Sequence, residues 1–264
     1  MKDLEAASTG AKASGEVFPQ EKQEALRQVG TLSSDEGRLV KLTGMRRVIA
    51  QKMLASKLEA AQTYMVVSVN AEKLLEARKK LKAATAEIAG VGLTITDILM
   101  KVTASAILLH PVINTRWSPE GIIWLDAVHM GMAMALDEGL IVPVIHDIGA
   151  MSLAAIARKR AELVEKGRSG KLMPEEMRGS TFTLSSLGMF GVEEFTAIIN
   201  QPESAILAVG AVLEKPVVID HEVVIRPMMK LTLSYDHRVI DGAKAAAFIK
   251  TLKQLTEDPI LILV

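Results

Sequence analysis

The sequence predicts an α/β (α+β) fold. Three observations carry that prediction. Strand-like runs with period-two alternation are interleaved with one-faced apolar helical segments from residue 38 to residue 264. Hydrophobic residues make up 49% of the 264 positions, enough for a sizeable core. One buried strand, Met229 to Tyr235, runs through Asp236-His237-Arg238 and an Asp241-Gly242 turn into an Ala-rich helix that starts at Ala243.

Residues 1–37 are polar and rich in Ala, Ser, Gly, Glu and Lys, and read as a flexible linker or arm. Within them only short pieces such as Gln20 to Val29 have a helical pattern. Arg38 to Leu42 reads as a short strand. Gly44 opens a helix with Val48, Ile49, Met53 and Leu54 on one face. Tyr64 to Asn70 is a strand, and Glu72 to about Thr85 a helix with Arg78 near its middle. Thr96-Asp97 is the expected N-cap pair for the apolar helix Ile98 to Leu109, which His110-Pro111 stops. His110 reads as structural.

Ile122 to Leu125 and Ala127 to Leu136 read as strands. Methionines 130, 132 and 134 at strand spacing mark core rather than a metal site, and His129 reads as packed. Leu140 to Ile145 is a strand that Pro143 places at an edge or a bulge. Ser152 caps a helix to about Lys166, and Pro174-Glu175-Glu176 is a helical first turn. Thr181 to Ser185 and Ser204 to Val212 are strands. Val217 to Ile219 and Glu222 to Ile225 form a hairpin with Asp220-His221 at its tip. The last helix spans Ala243 to about Thr256. The apolar end Pro259 to Val264 needs cover, from the chain's own core or from a neighbouring subunit.

Composition narrows the function. Lys plus Arg equals Asp plus Glu, so the formal charge is zero, which argues against nucleic acid or an anionic membrane as the main partner. Aromatics are 3%, leaving few platforms for stacking bases. The chain has no cysteine, which excludes disulfides, thiolate metal sites and a cysteine nucleophile. No signal peptide and no membrane span are expected, and a reducing compartment, the cytoplasm, is the default.

His237 is the residue best placed for chemistry. Charges and a tight turn flank it at the mouth of a buried strand, so it is held, and an imidazole suits proton transfer near neutrality. Asp241, four residues on, is placed to fix the local geometry. An isolated Asp-His-Arg is more often a surface turn, so a chemical role needs support from the rest of the chain.

Five blocks, in order, supply it: GMRRVIAQKM (44–53), GLIVPVI (139–145), TFTLSSLGMFGV (181–192), AILAVGAV (205–212) and LSYDHRVIDGA (233–243). With these, residues 38–264 resemble the catalytic domain of the dihydrolipoamide acyltransferases of 2-oxo acid dehydrogenase complexes. The resemblance implies a chloramphenicol acetyltransferase-like mixed sheet flanked by helices, assembled as trimers. Active sites then lie between subunits, and the trimers build a larger cubic or dodecahedral core in which the apolar tail contacts neighbours. It implies acyl transfer between dihydrolipoamide and coenzyme A, with no metal.

In that scheme His237 is the general base, Ser185 stabilises the oxyanion, and Asp241 holds the histidine loop, through an early arginine such as Arg47. Arg78, Thr94, Ser185, Ser186 and the backbone of Gly210 contact coenzyme A. The implied partners are a lipoyl domain, on another chain or on a missing segment, and the decarboxylase and dihydrolipoamide dehydrogenase components. Ala61-Gln62 departs from the family's usual Pro-His. A catalytically silent scaffold and a trimeric acetyltransferase for a small hydroxyl compound are the competing readings.

Overall fold

The computed structural model describes residues 39–136 and 139–263. The expected arm at 1–37 lies outside them, as do Arg38 and Val264. Residues 39–42 form no strand, against expectation. Among the described residues they have no partner strand to complete a ladder, and alternation alone does not hold one.

The centre is a seven-stranded mixed sheet. Its strands are β1 (Gln62–Asn70), β4 (Met130–Met132), β7 (Val144–Ile145), β8 (Phe182–Ser186), β9 (Ala205–Val209), β10 (Leu213–Ile219) and β11 (Glu222–Asp236). The order is β1-β11-β9-β8-β4-β7, with β10 paired to the first half of β11. β8 runs parallel to both β4 and β9, and the remaining pairs are antiparallel. β9 is apolar on both faces, as a strand covered on both sides must be, whereas β8 sets Phe182 and Leu184 on one face and Thr183 and Ser185 on the other. Two small ribbons stand apart, β2 (Thr115–Ser118) with β3 (Gly121–Trp124) and β5 (Met134–Leu136) with β6 (Gly139–Ile141).

Among the described residues the α-helices are α1 (Gly44–Glu59), α2 (Glu72–Ala89), α3 (Ile95–Leu109), α4 (Leu153–Arg168) and α5 (Gly242–Glu257). α3 is the most apolar and packs against α4 and α5. Phe248 of α5 meets Phe182 of β8 with ring centroids 6.3 Å apart, fixing that helix over the strand that carries Ser185. Burying a side chain of this size stabilises by about 1.5–3 kcal/mol.

Several boundaries differ from the sequence reading for local reasons. The α3 N-cap is Thr94, not Thr96. Thr94 and Asp97 form a reciprocal capping box, and Asp97 also binds Arg160 of α4 at 2.8 Å. The run 127–136 breaks at Ala133 into β4 and β5, because Ala133 N–H turns to the Leu184 carbonyl. The run 140–145 breaks at Val142-Pro143, and β7 forms the sheet edge that Pro143 foreshadows. Glu222 to Tyr235 is one continuous strand, not two. Pro174–Met177 is a single 3-10 turn. The hairpin tip is at Asp220 and His221, both in the left-handed region at φ 51° and 68°. His110 is structural: its Nε2 lies 2.8 Å from Thr251 Oγ1.

Candidate functional site

His237 follows β11 directly. Its backbone N–H donates to the Ala61 carbonyl at 3.0 Å, and Gln62 lies opposite Asp236 in the β1–β11 register. Ala61-Gln62 therefore closes the turn without the family's Pro-His. The flanks are pinned as well. Asp236 N–H donates to the Ser204 carbonyl at 2.9 Å, and the Asp236 carboxylate receives Arg238 Nη2 at 2.6 Å and Nε at 3.0 and 3.1 Å. Arg238 in turn lies 4.2 Å over the Trp117 ring, a cation–π contact. The imidazole is left exposed, 5.8 Å from the Tyr235 ring. A Cβ on Gly242 would stand 3.9 Å from both His237 Nε2 and Tyr235 Oη. The histidine is held by its backbone and open at its ring, the arrangement an acid–base group needs.

Ser185 is half-buried near the end of β8, opposite Ala208 of β9. Its hydroxyl makes no hydrogen bond to the described residues, so it is not tied to the backbone at the strand end. Ser186 faces Val209, and Leu187 N–H donates to the Val209 carbonyl at 3.2 Å. Gly210 follows at once and is buried. A Cβ there would sit 2.0 Å from the Glu193 carbonyl oxygen, so only glycine fits. Ser185, Ser186 and Gly210 are thus brought together.

Arg78 and Thr94 form a second pair. Arg78 Nε donates to the Leu93 carbonyl at 3.1 Å, beside Thr94 at the α3 N-terminus. Arg160 Nη2 holds Gly92 on the same loop at 3.1 Å. Sequence reasoning missed Arg160, whose partner Asp97 was credited to the wrong cap.

One predicted link is not made within the protomer. Asp241 sits at the N-cap of α5, and its carboxylate reaches Lys244 at 3.5 Å rather than Arg47. The short i,i+3 distance makes Lys244 the nearer cation. Ser185 and His237 are apart. Ser185, Ala208 and Thr232 are in register across β8, β9 and β11, and His237 lies five residues beyond Thr232. At about 3.3 Å per residue and 4.8 Å per strand, the separation is roughly 20 Å, with the two groups towards opposite ends of the sheet.

His129 is packed, as expected. Its ring lies 4.9 Å from that of His146, and its Nδ1 accepts the Asp147 N–H at 2.9 Å. Burial, then the neighbouring His146, holds its pKa below the usual histidine value. Sequence reasoning also passed over Glu203, a carboxyl 3% exposed at the start of β9. Its one sequence signal is an acid two residues before the apolar run 205–209.

A family model described as 2-oxoacid dehydrogenases acyltransferase (catalytic domain) matches residues 34–264. The chain belongs to that family. It is 40% identical over 232 residues to the dihydrolipoyllysine-residue acetyltransferase component of the acetoin cleaving system of Bacillus subtilis (strain 168), a match covering 88% of this chain and 58% of that protein. It is 40% identical over 225 residues to the corresponding component of the mitochondrial pyruvate dehydrogenase complex of Schizosaccharomyces pombe, covering 84% and 46%. The chain spans about half the length of the curated relatives it matches.

Among solved structures, the dihydrolipoamide acetyltransferase of Azotobacter vinelandii superposes with a TM-score of 0.84 at 38% identity, covering 88% of this chain and 96% of that one. A chloramphenicol acetyltransferase superposes at 0.50 with 13% identity over 78% and 94%, a likeness of fold alone. The acyltransferase family and the mixed-sheet fold agree with the sequence reading.

Proposed function

We propose that this acyltransferase-family chain moves an acyl group between the thiol of a dihydrolipoamide arm and the thiol of coenzyme A, in the core of a multienzyme dehydrogenase complex. The observation that carries the reading is the pairing of a pinned turn with an exposed imidazole, His237, and an unspent strand-end hydroxyl, Ser185. In the Azotobacter vinelandii enzyme a serine, a histidine and an asparagine have been investigated for their part in catalysis. Ser185, His237 and Asp241 stand in the same order and at the same separations, with aspartate here in place of asparagine.

In the forward step His237 takes the proton of the attacking thiol, and the thiolate sulfur adds to the thioester carbonyl carbon. The oxygen becomes an oxyanion, and the Ser185 hydroxyl donates a hydrogen bond to it. Collapse breaks the old carbon–sulfur bond, and the departing thiolate recovers the proton from the imidazolium. Asp241 supports the step by starting α5 and so fixing the far side of the turn. Arg78, Thr94, Ser186 and the Gly210 backbone line the coenzyme A side, where a guanidinium suits a phosphate-rich ligand.

Because the two reacting groups lie near opposite ends of one sheet, the site closes only between copies. Head-to-tail contact of this kind makes a ring when its rotation closes. We take that ring to be a homotrimer and the unit of a larger core, as in the cubic core of a pyruvate dehydrogenase complex, which superposes at TM-score 0.84. In this reading residues 38–264 are the catalytic domain, 1–37 a tether, and the compartment the cytoplasm. A lipoyl domain delivers substrate, and the decarboxylase and dihydrolipoamide dehydrogenase components bind outside.

The test is a coenzyme A-dependent assay against a panel of acyl-dihydrolipoamides. The wild-type protein is expected to transfer at least one of them. His237→Ala should lower kcat by about 10²–10⁴-fold and Ser185→Ala by about 10²–10³-fold, with particle size unchanged by light scattering. Wild-type kcat in His237→Ala would sink the assignment.

A further inference from the structure

Glu203 is the buried ionisable group that acyl transfer leaves unused. Its Oε1 accepts Ser180 Oγ at 2.5 Å, Thr183 Oγ1 at 2.8 Å and Asn200 Nδ2 at 2.8 Å. Its Oε2 is buried without a partner among the described residues, and so is Nε of Arg116, the charged side chain whose field it feels. Burial raises its pKa to about 7, against the pull of those three donors and of Arg116. A carboxyl kept in such a place against its solvation is expensive, and carboxyl-to-donor contacts of this number fix geometry.

What they fix is both halves of the site. Glu203 precedes Ser204, whose carbonyl holds the Asp236 N–H beside His237 at 2.9 Å. The Ser180 carbonyl receives Arg116 Nη2 at 3.1 Å, and the next residue, Trp117, lies under Arg238 on the other flank of His237. Thr183 is two residues before Ser185 on β8, so both side chains leave the same face of that strand.

We propose that Glu203 is a positioning residue for acyl transfer: through Ser204, and through Ser180 with the Arg116 it holds, it sets the turn that carries His237, and through Thr183 the strand that carries Ser185. The inference rests on the acyltransferase reading above. It is not a catalytic residue, since its carboxyl is closed off from substrate.

The test compares the full chain with Glu203→Ala and Glu203→Gln, the latter keeping an oxygen at Oε1. A displacement on the order of 1 Å at a reacting group lowers rates by about 10²-fold, so Glu203→Ala should reduce kcat by about 10–100-fold while KM for coenzyme A stays within about twofold. Glu203→Gln should restore kcat to within about threefold of wild type. A role in stability alone would lower melting temperature and leave kcat of the assembled protein untouched; that result overturns the proposal, as does failure of glutamine to rescue.

If Glu203→Ala does not fold, Thr183→Val removes one donor at constant shape, and kcat should fall about 2–10-fold; an unchanged kcat overturns the proposal. Wild-type protein without transfer activity would refute the functional reading instead. The His237 ring in a crystal structure of Glu203→Ala then decides: displaced, the proposal stands; unmoved, it falls.

Discussion

At the scale of single residues, buried charge sets the clearest expectations. Asp97 is fully buried and satisfied by the Thr94 cap and by Arg160. Removing Arg160 leaves that carboxylate desolvated and half-paired, so Arg160→Ala should cost about 3 kcal/mol, read by denaturant unfolding. Because Arg160 also holds Gly92 beside Thr94, coenzyme A affinity should fall with it. Glu203 gives a pH dependence of opposite sense to the usual carboxylate. Its folded pKa is raised from 4.5 to about 7, so the folded state holds the proton more tightly than the unfolded one. Its contribution is full below about 4.5 and is lost as pH rises towards about 7. Thermal melting across that window should slope downward in wild type and lose much of the slope in Glu203→Gln.

At the scale of elements, β8 and β9 form the platform and a tight loop crossing secures it. The segment after Gly191 folds back over the end of β9, where Ala211 N–H donates to the Val192 carbonyl at 2.8 Å and Glu193 presses on Gly210. Gly210→Ala has backbone, not a yielding side chain, in its way. It should destabilise by about 1–3 kcal/mol and raise the coenzyme A dissociation constant, measured by melting and by calorimetric titration. Much of this layer was legible in the sequence: β1, β8, α1, α4, α5 and the 220–221 hairpin tip follow from alternation, caps and turn residues. The broken runs at 127–136 and 140–145 were not. Apolar alternation continues through Ala133 and Val142, and only the choice of hydrogen-bond partner, Leu184 or the sheet edge, ends each strand.

At the scale of the whole molecule, too much apolar surface is uncovered for a lone chain. α1 exposes Met45, Val48, Leu54 and Leu58, and the 115–124 ribbon exposes Trp117, Ile122, Ile123 and Trp124. The tail leaves Ile260 67% and Leu263 80% exposed, although Ile262 packs on the core. Patches on this scale are what the proposed assembly would cover. Light scattering should find particles well above the mass of one chain. Ile260→Asp with Leu263→Asp should reduce the particle to a smaller unit, and the size after this change tests whether the tail joins trimers.

By itself the sequence determined most of the element types and the family blocks, and singled out a histidine and a serine as candidates for thiol chemistry, because each depends on neighbours within a few positions. It named Ser185 and His237, and the family resemblance implied active sites between subunits. Only the tertiary structure decided that these groups stand near opposite ends of one sheet, that Glu203 is buried among Ser180, Thr183 and Asn200, and that Asp97 faces Arg160. Those are contacts between residues tens of positions apart, set by strand order and register, which no local pattern of hydrophobicity or charge encodes.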